Sequence, residues 1–274
     1  MFVRFRIAIN SGLKLILVLL YIVPSPIGNL QDITLRALEV LKKVDLILAE
    51  DTRNSSRLLN HYQIIKALSP YHQHNEHKVL RHLVDQLLQG KTMAMLTDAG
   101  TPGVSDPAFL LVRECIKAGV AVECLPGATA LIPALVNSGL PMNRFAFEGF
   151  LPLKKGRQSL LKQLASEERT LVFYESPMRL VKTLQDFILY FGEGRPCCVS
   201  RELTKIYEEN QRGSLSEVCA WYKEKGVKGE IVIVVEGAGK RAVSRPGAQD
   251  EGAQRADGDW LEAGADEEDE TIED

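Results

Sequence analysis

From residue 15 onward, short apolar runs alternate with stretches whose apolar positions recur at helical spacing. Leu15 to Val23 is a near-continuous Leu/Ile/Val run, the pattern of a parallel strand covered on both faces. After the turn-rich loop Pro24 to Asn29, Leu35, Leu38, Leu41 and Val44 predict a helix capped by Asp32. Leu46 to Ala49 predicts a strand running into Glu50, Asp51, Thr52 and Arg53. The rows Val79/Leu83/Leu87 and Leu80/Val84/Leu88 predict a helix stopped by Gly90. A strand Thr92 to Leu96, a helix from about Pro107 to Ala118 and a strand Val120 to Leu125 follow. Then a small-residue turn, Pro126 to Ala130, leads into a helix around Leu131 to Val136. Repeated units of this kind predict a mainly parallel, doubly wound sheet.

Ser138-Gly139-Leu140-Pro141 breaks the alternation, and a second series follows. It comprises a strand Arg144 to Phe150, a basic loop Lys154-Lys155-Gly156-Arg157, a helix to Ala165, a strand Thr170 to Tyr174 and a helix Pro177 to Phe191. A strand Cys197 to Arg201, a helix opened by the capping box Ser214-x-x-Glu217 and a strand Glu230 to Glu236 complete it. The expected organisation is an N-terminal extension (1–14), two α/β domains with mainly parallel or mixed sheets (15–139 and 140–238), and an acidic disordered tail (239–274).

Composition refines this picture at three points. The formal charge of −3 hides an acidic tail with four basic and twelve acidic residues from Gly239 on, so the body is mildly basic. That balance suits a polyanionic substrate and equally a solvated surface. The five cysteines include no CxxC pair, which points to a reducing, cytoplasmic compartment and not to a disulfide framework or a zinc site. Arg4, Arg6 and Lys14 before an apolar run imitate a secretory signal, but no small-residue cleavage site follows and the run is too short to span a bilayer. A buried strand and no membrane association is the expectation.

Chemistry concentrates in strand-end loops. Asp98-Ala99-Gly100-Thr101-Pro102-Gly103-Val104-Ser105-Asp106-Pro107 places two carboxylates and two hydroxyls on a backbone folded over by glycine and proline, where open α/β sheets hold ligands. Residues 24–29 and 126–130 are similar loops. Neither GxGxxG after the first strand nor GxxxxGK[ST] is present, so exposed backbone groups in these loops suit a neutral or zwitterionic nucleoside better than a triphosphate. Any one of them could be a plain packing turn. The run His72-Gln73-His74-Asn75-Glu76-His77 has metal-like spacing without a fourth ligand, and a loop of hydrogen-bonding side chains is preferred to a metal site.

Several longer segments resemble the tetrapyrrole methylase-like (class III) S-adenosylmethionine-dependent methyltransferases, and among them the small-subunit ribosomal RNA methyltransferases. They are Tyr21 to Leu30, Ala49 to Arg53, Thr97 to Pro102, Phe147 to Pro152, Val172 to Pro177, Arg201 to Lys205 and Lys228 to Glu230, in order over about Leu20 to Gly237. The pattern departs from the common one at Pro24-Ser25-Pro26, Thr97 and Gly103, all changes between small or loop residues. The resemblance implies 2′-O-methylation of a cytidine ribose in the decoding region of 16S rRNA, by a homodimer acting on the 30S subunit. It also implies S-adenosyl-L-methionine held in a cleft between the two domains. Carried over to this sequence, Pro24, Asp98, Ala99, Gly100, Thr101, Val104 and Ser105 cradle the cofactor, with Thr129 and Ala130 bordering it. Tyr174, Leu203, Gly229 and Glu230 close over it from the second domain.

A ribose hydroxyl is a poor nucleophile, so some group must accept its proton. Glu50, Asp51, Lys155, Glu175 and Glu202 are the candidates, with Glu175 or Glu202 favoured as catalytic and lysine serviceable only with a depressed pKa. Each carboxylate has an alternative as a structural ion pair. Arg53 and Arg201, with Lys154 and Arg157 of the basic loop, are expected to meet RNA phosphate; the loop could equally be a solvated surface. Two other functions fit the fold: methylation of a small tetrapyrrole-like molecule, and catalytically silent RNA binding during ribosome assembly.

Overall fold

The structure is a computed structural model that describes residues 19–239. The extension, the beginning of the strand expected over 15–23 and the acidic tail beyond Gly239 lie outside the described residues. The first sheet contains β1 (Leu19–Ile22), β2 (Leu46–Ala49), β3 (Leu68–Pro70), β4 (Met93–Leu96) and β5 (Ala121–Cys124), in the order β3-β2-β4-β1-β5. All its pairings are parallel. Side chains alternate faces along a strand, and here both faces are covered. Met93 and Met95 enter a core with Leu83 and Leu87 of α3 (Glu76–Leu88) and Leu111 and Cys115 of α4 (Phe109–Lys117). Ala94 and Leu96 pack on the opposite side with Ala37 and Leu41 of α1 (Leu35–Lys43) and Leu59 of α2 (Thr52–His61).

Local chemistry explains two differences from expectation here. Thr34, not Asp32, caps α1: its hydroxyl accepts from the Ala37 amide at 3.1 Å, while Asp32 ends a short 3-10 turn and Ile33 between them is extended. The polar segment after β2 is itself a helix, capped by the Asp51 carboxylate, which accepts from the Arg53 amide at 2.8 Å.

α5 (Leu131–Ser138) leads to the second sheet, built from β6 (Phe145–Phe150), β7 (Thr170–Glu175), β8 (Pro196–Arg201), β9 (Glu209–Ser214) and β10 (Ile231–Val235). Its order is β6-β7-β10-β8-β9, and only β6 and β7 run parallel, so this sheet is mixed and largely antiparallel. One face carries α6 (Arg157–Leu164), α7 (Leu180–Phe191) and α8 (Leu215–Lys225) around a core that includes Phe173 and Phe187. The Ser214 and Glu217 capping box opens α8 as expected. Ala134 and Leu135 of α5 pack on the other face, with Val172, Val232 and Val234 and with Ile27 from the loop after β1. Each buried valine, leucine or isoleucine here contributes about 1.5–3 kcal/mol, so this shared cluster fixes how the strand-end loops of the first sheet meet the second.

Candidate active site

A cavity of about 370 Å³ lies where the carboxyl ends of β1, β4 and β5 meet the second sheet. On the first side its wall is Ile27, Ala99, Gly100, Thr101, Val104, Ser105, Asp106, Thr129 and Ala130. Hydrogen bonds stitch these loops together. Ser25 and Gly100 exchange backbone bonds at 2.9 and 3.0 Å, the Ser25 hydroxyl donates to the Thr97 carbonyl at 2.9 Å, and the Thr101 hydroxyl donates to the Ala128 carbonyl at 3.0 Å.

The opposite wall is Phe150 after the β6 bulge, Tyr174 to Pro177 at the end of β7, Ser200, Leu203, and Gly229 to Val232 leading into β10. Two glycines permit close approach. At Gly149, φ +61°, an added Cβ would lie 3.2 Å from the Ser105 hydroxyl; at Gly229, φ +93°, it would lie 2.4 Å from the Glu202 carboxyl carbon. Ser105, Glu202 and Thr204 are non-glycine residues at positive φ, the last two flanking Leu203. Strain of this kind costs ~1–3 kcal/mol per residue and gathers where a loop is held for a ligand.

Eleven of the thirteen expected cofactor residues line this cavity. The other two stand behind it. Pro24 is buried against Gly127, where an added Cβ would meet the proline ring at 2.6 Å, and Asp98 faces a smaller cavity on the far side of the turn. Ser176 and Ser200 are polar lining groups that the sequence did not single out, and Asp106, the second carboxylate of the loop expected to hold a ligand, lines the cavity as well.

The carboxylates divide sharply. Glu175 is almost wholly enclosed and its oxygens are all engaged: it accepts from the Ser176 amide at 2.7 Å and the Thr183 hydroxyl at 2.6 Å, and pairs with Arg179 at 2.6 Å. Glu202 accepts from Lys205 at 3.0 Å and from the Glu230 amide at 2.8 Å. These bonds, opposed by burial, hold its carboxyl below the ordinary value. Asp106, by contrast, has no hydrogen-bond donor or cation paired with it among the described residues. Burial first, and then the charges of Glu50 and Asp98, push its pKa up to about 7. Burial likewise raises the phenol of Tyr174, whose ring packs edge-on to Phe147 and Phe150 at 4.9 and 5.7 Å.

The basic residues are distributed differently from expectation. Arg157 is turned inward and is a correction to the expected phosphate contact. Its guanidinium donates to Asp186 at 2.8 Å, to the Thr183 hydroxyl at 2.8 Å and to the Pro152 carbonyl at 3.2 Å. Lys154 and Lys155 are exposed in the loop before it, and neither lines the cavity. Arg53 is exposed and paired with Asp51 at 2.6 Å. Arg201 is largely covered, 4.0 Å from Glu209 and donating to the Lys228 carbonyl at 3.3 Å. The histidine run forms the turn into α3: the Asn75 side chain accepts from the His72 amide at 2.9 Å and donates to the Pro70 carbonyl at 2.9 Å. Among the described residues no group of three His, Cys, Asp or Glu is placed to hold a metal, and no helix is long and apolar enough to cross a membrane.

The lining suits an amphipathic nucleoside with a charged tail. Apolar Ile27, Val104, Phe150, Leu203, Ile231 and Val232 alternate with backbone and hydroxyl groups, and Gly100 and Gly229 leave the backbone bare of side chains. A half-buried carboxylate and an aromatic face complement a cation in such a space. S-adenosyl-L-methionine, the methyl donor of methylases of this kind, has this chemistry, and the residues present fit it.

Comparison with known proteins agrees. The chain is 48% identical over 223 residues to Ribosomal RNA small subunit methyltransferase I of Halalkalibacterium halodurans, covering 81% of this chain and 77% of the relative. The protein of that name from Escherichia coli O157:H7 is 50% identical over 221 residues (80% and 77%), and that from Thermotoga maritima 46% identical over 218 residues (80% and 98%). Among solved structures, a diphthine synthase superposes with a TM-score of 0.62 at 13% identity, covering 80% of this chain and 90% of that one. A cobalt precorrin-4 methyltransferase superposes with a TM-score of 0.59 at 18% identity, covering 80% and 95%; at such identities these two show the fold alone. The family described as Tetrapyrrole (Corrin/Porphyrin) Methylases matches residues 19–241, and with strand-end loops, paired sheets and relatives in accord, this chain is an S-adenosylmethionine-dependent methyltransferase belonging to that family.

Proposed function

We propose that the chain methylates the ribose 2′-oxygen of a cytidine in the decoding region of 16S ribosomal RNA, on the 30S subunit, as a homodimer in the cytoplasm. Residues 15–139 and 140–238 are its two domains, with the cavity between them as the active site. The observation that carries this reading is a cavity of about 370 Å³ lined by apolar, backbone and hydroxyl groups and by Asp106, which has no ionic or hydrogen-bond partner among the described residues, in a chain 46–50% identical to relatives named for small-subunit ribosomal RNA methylation.

S-adenosyl-L-methionine supplies an electrophilic methyl group on a sulfonium. The chain's own contribution is placement, because in-line displacement needs reacting atoms ~3–3.5 Å apart and aligned. Ala99 to Thr101, Thr129, Ala130 and Gly229 offer backbone groups that fix orientation, and the apolar lining excludes water. Asp106 is the proton acceptor: a carboxylate with pKa about 7 is strong enough to take a proton as the new bond forms and still ionised in useful amount at neutral pH. Glu175 is a positioning residue that fixes Ser176 and Pro177, and Glu202 holds Lys205 and the Glu230 amide in the loop over the cavity. Exposed Arg53, Lys154 and Lys155 attract RNA phosphate, while Arg201 steadies the chain leading to Gly229 by donating to the Lys228 carbonyl.

Purified protein incubated with methyl-labelled donor and either unmethylated 30S subunits or a tetrapyrrole tests the assignment. Label in 16S RNA supports it; label in the tetrapyrrole alone overturns it. Calorimetry showing donor affinity without transfer to RNA would favour the silent assembly factor.

A further inference from the structure

A second cavity, of about 200 Å³, opens on the other side of the turn that walls the first. Ile27 and Ala99 to Thr101 face the larger space, whereas Ser25, Pro26, Thr97 and Asp98 face the smaller one. The backbone bridge between Ser25 and Gly100 therefore belongs to the partition between them. The remaining wall is Leu30 with Asn54, Ser55, Arg57 and Leu58 of α2.

Ser55 makes this more than a surface dent. It is 4% exposed, and its hydroxyl has no hydrogen-bond partner among the described residues. Its neighbour Ser56 satisfies itself by donating to the Thr52 carbonyl at 2.6 Å, the usual solution for a helical serine. An unmet buried hydroxyl costs ~1–3 kcal/mol and calls for a partner. Arg57 is exposed and has no carboxylate partner among the described residues, while Asp98 supplies a carboxylate to the same cavity. The Arg53 amide at the start of α2 is already bound by Asp51, so a bare helix end is not what recommends the site.

Cation, carboxylate and neutral hydroxyl in one small space reject a simple anion, which Asp98 repels, and match a nucleotide, which carries both a phosphate and hydrogen-bond donors. Pro26, Leu30 and Leu58 add apolar surface for a base or sugar. At this volume the space is below that of ordinary ligand pockets and suits one nucleoside unit. We propose that the smaller cavity holds a nucleotide of the RNA adjoining the one that is methylated. Arg57 meets its phosphate, Ser55 and Asn54 its sugar or base, and Asp98 accepts from an amine or sugar hydroxyl. This rests on the reading of the first cavity as an RNA methylation site and names how that site selects its substrate.

The test compares wild type with Arg57→Gln and Ser55→Val, the second filling the cavity and the first changing only an exposed side chain. Binding to 30S subunits and to a short single-stranded RNA is measured alongside donor affinity by calorimetry. Each variant should bind RNA ~10-fold more weakly, the effect of losing one charged or hydroxyl contact, with donor affinity unchanged. RNA binding equal to wild type in Arg57→Gln and in folded Ser55→Val overturns the inference, and so does wild-type protein that binds neither RNA. Wild-type methyl transfer to RNA with unresponsive variants would sink the inference and leave the function standing. Responsive variants with no transfer by wild type would do the reverse.

Discussion

The two sheets present the cavity with carboxylates in opposite circumstances. From the second sheet comes Glu175, held in a buried chain in which Arg157 donates to Thr183, Thr183 donates to Glu175, and Arg179 closes the other side. From the loop after β4 comes Asp106, half-buried beside Glu50 and Asp98 and without a cation among the described residues. A charge whose lone pairs are all engaged keeps a loop in shape, whereas one pushed toward neutrality by burial and like charge is poised to exchange a proton. Equal placement at strand ends thus conceals different work.

The largest expected effect separates these roles. Asp106→Asn should lower the single-turnover rate of methyl transfer by ~10²–10⁴, the usual contribution of a general base. Glu175→Ala should instead act on the fold: removing one partner of a buried pair costs ~3–5 kcal/mol, seen as a lower denaturant midpoint. A stable Glu175→Ala protein with no activity would invert the comparison. Gly229→Ala comes next, because the residue has φ +93° and a Cβ there would collide with Glu202; donor affinity should fall by about tenfold, within ~1–3 kcal/mol of local strain.

Acidity sharpens the same contrast. Since only ionised Asp106 can accept a proton, the transfer rate should rise with pH through about 7 and then level off, and the Asn variant should lose that limb. The smallest effect belongs to the exposed loop. Lys154→Gln should weaken RNA binding modestly and uniformly and reduce the salt slope by about one.

Much of this was legible in the chain. Leu46 to Ala49 forms the expected strand because it is apolar throughout and buried on both faces, and the capping box of Ser214 and Glu217 acts locally. β9, Glu209–Ser214, was invisible because it is an edge strand with no apolar alternation, paired only to β8. α2 was missed because its few apolar positions, such as Leu58 and Leu59, make too thin a stripe, although Asp51 carried a capping signal. The loop that cradles the cavity announced itself through glycine, proline and hydroxyls. Asp106 was visible there as one of two carboxylates, but not as a proton acceptor, since its burial and the acidic neighbours Glu50 and Asp98 just past β2 and β4 are products of the sheet order. Arg157 looked like a phosphate ligand until the fold brought Thr183 and Asp186, far along the chain, against its guanidinium.

The most direct measurement is nucleotide-resolution mapping of 16S RNA from unmethylated 30S subunits treated with this protein and its methyl donor. Wild type should form a single new 2′-O-methylcytidine in the decoding region, nearly absent with Asp106→Asn. A methyl group on a base, or equal yield from the Asn variant, would contradict this expectation.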